Sequence, residues 1–361
     1  MLLGTSIAAR VRLAGVAGPA AAAVLALAGC GAAAAGGTGG PQLSLRLGYL
    51  PNLTQAPAIV GVRNGILQGA LGPGTRLVPQ TFGAGPAAVE ALFGGALDAA
   101  YVGPNPAING FIRSRGAALR IVSGATAGGA ALVVRTGEGI RSAADLRGRR
   151  IATPQLGNTQ DVALRSWLRD HGLRTDPQGG GDVRIVASDN ATTLQLFEQG
   201  RLDGAWVPEP WASRLVDEGH GTVLVDEASL WPGGRFPTTE LVVATSFLER
   251  HSDAVRRLVA GNVAAVDWLN GHGDAARAAA NDGLRRLTQS ALSAAVLAGA
   301  WSHLTFTADP LAASLQREAD DAAAVGLLDT TDLHGILDDG PLDSVLAGLG
   351  RAPVSAGGLG G

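Results

Sequence analysis

The sequence predicts an α/β protein in two lobes, each a mostly parallel sheet flanked by helices. Short β-like runs alternate with helical runs from Leu43 onward, which is the rhythm of parallel-sheet units. One helix–turn–strand unit occurs twice. At 361 residues the chain also exceeds what a single hydrophobic core usually serves.

Arg10 and Arg12 followed by the apolar run Leu13 to Ala26 read as an export signal, since the run is too short and too rich in Ala and Gly for a membrane span. Gly31 to Pro41 has nothing to bury and reads as a tether. Strands are expected at Leu43–Leu50, Arg76–Thr81, Ala99–Val102 and Leu119–Ser123. Helices are expected at Ala56–Asn64, Pro86–Gly94 and Pro106–Arg115. Gly95-Ala-Leu97-Asp98-Ala-Ala-Tyr101-Val102 returns as Gly200-Arg-Leu202-Asp203-Gly-Ala-Trp206-Val207, and the same offset pairs Gly83-Ala84-Gly85 with Ser188-Asp189-Asn190. Shared ancestry of two lobes or chance likeness of two such units would each give this pattern. Each copy puts an aromatic near the C-terminal end of a strand, where open α/β sheets gather ligands. From Ser252 the pattern turns helical: Asp253–Asn270, Asp274–Leu287, Ser290–Leu304 and Pro310–Val325, with shorter pieces opening at Asp329 and Pro341. Gly-rich Ala352–Gly361 is expected to be a disordered tail.

Composition excludes several functions. A net charge of −3 gives no basic balance for phosphate backbones, so nucleic acid is not an expected partner. All 28 basic residues are Arg, which removes Schiff-base chemistry, a Walker A loop and any lysine base. The six histidines stand apart with no metal-box spacing and are expected at the surface or at helix ends. A single cysteine, Cys30, forbids an intrachain disulfide.

Four loops follow strands, open helices, and are rich in small or hydrogen-bonding residues: Pro51 to Gln55, Gly83 to Pro86, Gly103 to Pro106 and Pro154 to Gln160. Free backbone N–H groups at helix starts, joined by Ser, Thr or Asn, bind an anionic head group without a cation; the plainer use of such residues is as N-caps. Trp206-Val207-Pro208-Glu209-Pro210-Trp211 is the densest aromatic cluster. Its prolines either aim Glu209 at a ligand that Trp211 covers, or the segment is a core tryptophan beside a solvated carboxylate. Trp231 to Gly234 with Phe236 reads as a lid edge or as packing. Gly83-x-Gly85-x-x-Ala88 matches a dinucleotide fingerprint, but Asp98 precedes its strand where a ribose-binding acid should follow one.

Leu27-Ala28-Gly29-Cys30 resembles the lipobox of bacterial lipoproteins, which implies residues 1–30 as signal peptide, a lipidated Cys30 as mature N-terminus, and a tether over 31–42. Leu47 to Asn52, Gly200-x-Leu202-Asp203, Pro154 to Thr159 and Trp206 to Trp211 resemble the substrate-binding proteins of ABC importers for aliphatic sulfonates, taurine and nitrate, over nearly all of Leu43 to Leu349. The resemblance implies the type II periplasmic-binding-protein fold: two α/β lobes, two crossing strands as hinge, and a ligand in the cleft. Crossings near Val133–Arg135 and Leu241–Ala244 would give residues 43–134 and 243–350 to the first lobe, 135–242 to the second, and 351–361 to the tail.

The family's ligand loops fall on Asn52, Thr54, Gln55, Gly85, Pro86, Asn105, Pro106, Gly157, Asn158, Thr159, Gln160, Glu209 and Trp211. Asn105 between prolines and the lack of a basic residue in these loops depart from the best-known patterns. That does not suit nitrate held by a lysine, but it leaves a sulfonate held by N–H groups. The implied protein is a monomeric, lipid-anchored receptor on the outer face of the bacterial cytoplasmic membrane. It would hand an alkanesulfonate or taurine to an ABC permease and its ATPase, with no cofactor, metal or catalytic residue, and with Glu209 reading the taurine amine. The rivals are a thiamine pyrimidine precursor or a flavin stacked on Tyr49, Trp206 or Trp211, and an enzyme on the same fold using Glu209.

Overall fold

The computed structural model describes residues 42–361; the export segment, Cys30 and the tether through Pro41 lie outside the described residues. Leu45 and Leu47 are fully enclosed, and the strand that carries them, β1 (Leu43–Tyr49), sits inside a sheet covered on both faces. It pairs in parallel with β2 (Thr75–Thr81) and β3 (Ala99–Val102). β4 is Leu119–Gly128. A second sheet holds β5 (Ala130–Arg135), β6 (Arg150–Thr153), β7 (Arg184–Ala187), β8 (Gly204–Pro208) and β9 (Gly221–Asp226), in the order β7-β6-β8-β5-β9. The chain then returns as β10 (Pro237–Ala244) and β11 (Leu304–Phe306), completing the first sheet as β11-β4-β10-β3-β1-β2. Pairings of β10 with β3 and of β5 with β8 are antiparallel, so both sheets are mixed: the parallel part is the βα run, and the crossing strands enter it in the opposite sense.

The duplicated sequence unit is a duplicated structural unit. Leu47 and Gly48 pair with Ala99 and Ala100, while Ile151 and Ala152 pair with Gly204 and Ala205. Asp98 locks the first of these pairings. Its Oδ2 accepts the Arg46 backbone N–H at 2.8 Å and the Arg46 Nε–H at 2.9 Å, and its own N–H returns to the Arg46 carbonyl at 2.9 Å. Asp203 repeats the device: Oδ2 accepts the Arg150 N–H at 2.8 Å, its N–H returns to the Arg150 carbonyl at 2.9 Å, and Arg149 Nη1 reaches Oδ1 at 3.0 Å. Charge-assisted bonds to a part-buried carboxylate are the stronger kind, and they set strand register from the turn.

Both changes of sheet fall away from their expected places. The chain leaves the first sheet at Gly128-Gly129, ahead of Val133–Arg135, which lie inside β5. Both glycines have positive φ (75° and 77°), and a Cβ on Gly128 would stand 2.6 Å from the His303 carbonyl oxygen. The switch needs backbone that β-branched residues cannot adopt, so it sits in the glycines. Its return precedes β10, whereas Leu241–Ala244 pair with β3 and β4. Trp231 and Phe236 stack there with centroids 5.7 Å apart, so that aromatic loop packs the second crossing.

The C-terminal half is helical at Ser252–Gly271, Gly273–Thr288, Ala294–Ser302, Ala312–Ala324 and Gly340–Gly348. Ser293 caps Val296, and Leu304 leaves the helix to begin β11, so Ser290–Leu304 is shorter than its apolar pattern. No helix opens at Asp329. The tail is not disordered: Leu359 is 6% exposed, its carbonyl accepts the Gly335 N–H at 3.0 Å, and Gly360 bridges Leu337 beside β4. One buried leucine anchors a glycine-rich strip whose composition alone reads as free. Among the described residues no helix is long and apolar enough to cross a membrane.

Asp98→Ala and Asp203→Ala are each expected to lower unfolding free energy by about 1–3 kcal/mol, because the paired N–H groups lose their acceptor. Urea melts should show a lower midpoint at unchanged slope.

Candidate functional site

The four loops follow the C-terminal ends of β1, β2, β3 and β6 and, with the turn after β8, border one cleft between the lobes, and the cleft is shut. Trp211 Nε1 donates to Asn52 Oδ1 across it at 2.9 Å. The Thr54 N–H reaches the Glu209 carbonyl at 3.4 Å. Gly103 of the first lobe meets Thr159 of the second so closely that a Cβ on Gly103 would lie 2.5 Å from Thr159 Oγ1. Asn52, Thr54, Gln55, Asn105, Asn158, Thr159, Gln160 and Glu209 are all buried, a concentration of polar side chains that an apolar core would not tolerate without partners or a guest.

The helix starts of the two lobes differ. Those at Ala56, Gly85 and Pro104 in the first lobe carry a proline in the first turn and no side-chain cap. Their remaining N–H groups, on Gly85 and Asn105 among them, are left to whatever enters the cleft. Gly85 is required by packing, since a Cβ there would meet Pro106 Cγ at 2.7 Å. In the second lobe Asn158 and Asp189 cap their own helices, accepting from Asp161 and Thr192 at 3.0 Å each. Gly157, at φ 74°, gives its N–H to Asp161 Oδ2 at 2.7 Å, and Arg165 pairs with that oxygen at 2.8 Å, both side chains fully enclosed. Gly157 and Asn158 thus hold the loop. Thr159 and Gln160 open the helix itself, both buried, with Thr159 against Gly103 of the first lobe.

Gln55 is partly committed as well, its Oε1 accepting from Leu50 N–H and its Nε2 donating to Thr239, both at 3.3 Å. Glu209 does not point into the cleft. Ser213 donates its N–H and its hydroxyl to the carboxylate at 3.0 Å each, so Glu209 caps the helix that follows it; burial pushes its pKa up against these bonds. It borders a different cavity of about 250 Å³, with Asp217, Asp226 and His303. Tyr101 and Trp206, the aromatics of the repeat, are enclosed in the cores: Tyr101 donates to Asn262 at 2.9 Å and Trp206 to Glu227 at 2.7 Å. Trp206 therefore offers no face for stacking a heterocycle.

Two cavities mark the ends of the cleft. One of about 330 Å³ is bounded by Asn52, Gly83, Asp189, Asn190, Trp211 and Arg214. The other, about 180 Å³, lies between Pro86, Pro106, Leu156 and Gly157. The larger holds three residues absent from the expected ligand set, Asp189 and Asn190 from the loop that the repeat pairs with Gly83 to Gly85, and Arg214. Arg214 stacks 4.7 Å over Trp211 while Glu218 binds its guanidinium. Asn190 Oδ1 is buried without a partner. Burial opposes charge on Asp189, yet hydrogen bonds from the Thr192 N–H and hydroxyl and from backbone N–H groups of the first helical turn together outweigh it and hold that carboxyl below its ordinary pKa. The spacing Trp211 to Arg214, one helical turn, was the signal available for the cation.

Two mixed α/β sheets, two crossing connections and a ligand-sized cleft between the lobes make this a protein of the periplasmic-binding-protein fold. The chain belongs to the NMT1-like family, whose model matches residues 38–282. It is 28% identical over 222 residues to a binding protein of Brucella abortus (strain 2308), covering 61% of this chain and spanning 65% of that protein's length. It is 32% identical over 127 residues to the taurine-binding periplasmic protein of Escherichia coli (strain K12), covering 35% of this chain and 36% of that one. Among solved structures it is similar to the alkanesulfonate-binding protein SsuA from Xanthomonas axonopodis pv. citri bound to MOPS, with a TM-score of 0.65 at 23% identity, over 81% of this chain and 96% of that one.

Gly103→Ala is expected to leave the unfolding midpoint nearly unchanged, since φ is −69° and the added Cβ meets only the Thr159 side chain of the opposite lobe closely, while weakening cleft binding by about tenfold or more. Titration of the wild type and the variant with one ligand, beside a thermal melt of each, checks it.

Proposed function

We propose that this chain is the solute-binding component of an ABC importer, capturing a small organic anion between its lobes and delivering it to the permease and its ATPase. One observation carries the reading: uncapped helix starts at Gly85 and Asn105 oppose Thr159 and Gln160 across a shut cleft. N–H groups arranged in this way suit an anion that needs no lysine, and each helix start contributes about 0.3–1 kcal/mol or more where partly buried. The relatives named for taurine and alkanesulfonate binding support a sulfonate head group. Head-group contacts are assigned to Gly85, Asn105, Thr159 and Gln160, with Asn52 and Trp211 closing the far side and Pro86 and Pro106 shaping the near one.

An amine on the ligand would be read by Asp189 and the unpartnered Asn190 Oδ1, since Glu209 is spent on Ser213. Asp189 and Asn190 also favour the second reading, an amine-bearing heterocycle laid along Trp211 in the larger cavity. No reaction is assigned: the carboxylate considered for chemistry, Glu209, is bound within its own helix turn.

Titration calorimetry with ethanesulfonate, taurine and nitrate is expected to give micromolar or tighter binding of at least one sulfonate and none of nitrate. Folded protein that binds neither sulfonate below millimolar overturns the ligand class, and a bound chromophore would favour the heterocycle.

Export and a lipid on Cys30 complete the proposal. Two acyl chains hold a protein on a membrane where one does not. Cys30→Ser should move the protein from the membrane to the soluble fraction of the cells that make it; a variant that stays with the membrane removes the anchor.

A further inference from the structure

Away from the ligand loops, the helix Ala312–Ala324 wedges between Pro104–Arg113 of the first lobe and Thr159–Asp170 of the second. Its polar side grips the second lobe. Ser166 Oγ donates to Asp321 Oδ1 at 2.7 Å, Arg169 approaches Asp321 to 3.6 Å, and Arg317 donates to the Leu230 carbonyl at 2.8 Å while lying 4.4 Å over Trp231. Beside these contacts lies a cavity of about 130 Å³ between the wedge and the second lobe, lined by Glu227 from one side and Glu318 from the other.

The chamber is short of donors. Glu227 and Glu318 are 1% and 2% exposed. Glu227 Oε2 accepts from Trp206, but its Oε1 has no partner, and neither has Glu318 Oε1. Beside them Asn105 gives its Nδ2 to the Glu318 carbonyl at 3.3 Å and leaves its Oδ1 unpartnered. Three orphaned atoms are all acceptors, and a buried acceptor without a donor costs the full price of its lost water. Among the described residues no three His, Cys, Asp or Glu converge well enough to hold a metal ion.

We propose that closure of the lobes takes up protons at this seam, Glu227 of the second lobe and Glu318 of the first-lobe wedge becoming carboxylic acids when the chamber shuts and ionising when it opens. Neutral acids supply the missing donors, since each acquires an O–H. Burial pushes Glu227 up to about 7, against the Trp206 and Trp231 N–H groups and with Asp226 and Asp321 adding to it. Burial likewise holds Glu318 well above the carboxylate range; Glu227 and Asp321 raise it further, Arg317 and Asn105 oppose them. Asp170 and His171 face the chamber from the end of the second-lobe helix.

The direction follows by linkage. In the open form both groups return toward ordinary carboxylate values, so the shut form binds more protons. Closure is favoured at acid pH and declines from the ordinary carboxylate range up to about 7 for Glu227, and further for Glu318. Each group weakens it by up to tenfold per pH unit inside its own window.

Small-angle scattering of the full chain without ligand at pH 5.5 and 8.5 tests this, with circular dichroism to verify folding. The wild type should be compact at pH 5.5 and expanded at 8.5. The double variant Glu227→Gln, Glu318→Gln, which carries its donors permanently, should be compact at both. A folded wild type of constant size, or a folded double variant that expands as the wild type does, overturns the proposal. If the double variant fails to fold, the wild-type series alone decides. Ethanesulfonate added at both pH values separates this inference from the ligand assignment: a pH-dependent size with no binding refutes only the sulfonate.

Discussion

The whole architecture turns on two adjacent glycines. At Gly128 and Gly129 the backbone takes positive φ twice in succession, with the His303 carbonyl against one residue and the Leu304 and Glu209 side chains against the other. An L-side chain there would meet both the steric penalty of the left-handed region and a filled neighbourhood. Because the chain can pass here, β4 ends one sheet and β5 begins the next without a loop. The Gly129 carbonyl also accepts the Glu209 N–H at 2.8 Å, which ties the turn after β8, and so the Trp211 helix, directly to the hinge. A shift at the hinge is thereby a shift at the wall of the cleft.

Much of the fold was legible because its determinants are local. Strand β3 and the helices around Ala56, Gly85 and Ser252 follow from periodicity and prolines. The repeat was visible as Gly-x-Leu-Asp, and its physical meaning is the aspartate clasp, a turn residue that grips the start of the neighbouring parallel strand. Histidines 171, 251, 272 and 303 occupy helix C-caps, where a helix-end reading placed residues of that kind. The crossings were misplaced because Val133–Arg135 and Leu241–Ala244 are the most strand-like stretches nearby, whereas a change of sheet is a backbone event that glycines mark. Leu359 shows the opposite failure, one hydrophobe outweighing nine residues of loop-like sequence around it.

In the site, residue types placed the loops but not the partners. Asn158, Gly157 and Glu209 were candidates for the ligand, and each spends its hydrogen bonds on its own helix turn. Sequence shows that such a residue can cap or can bind; only the rotamer decides, and here Asp161 and Ser213 stood close enough to win. Arg214 enters the cavity by way of helix geometry, a turn beyond Trp211, so no loop motif contains it; Asp189 and Asn190 lie in the loop that the repeat pairs with Gly83 to Gly85, and the repeat was the signal for them. Tyr101 and Trp206 end strands as expected, yet alternation turns them into the cores rather than toward the cleft.

The unequal capping of the two lobes bears on how such a protein can both hold and release a guest. On the proposed function, the uncapped helix starts of the first lobe would be the side an anion docks to while the cleft is open, because their N–H groups need no rearrangement. The second lobe, already satisfied by Asn158 and Asp189, gains from a ligand mainly by closing over it. Closure then brings Trp211 to Asn52 and Thr159 to Gly103, but it also buries acceptors at the far seam that gain donors only by taking up protons. A shut state with such a cost stays close in free energy to the open one, and the difference a ligand must supply remains a few kcal/mol. A seam satisfied at every pH would hold the closed form shut without cargo, whereas one that needs protons leaves the balance to the ligand wherever its carboxylates are ionised.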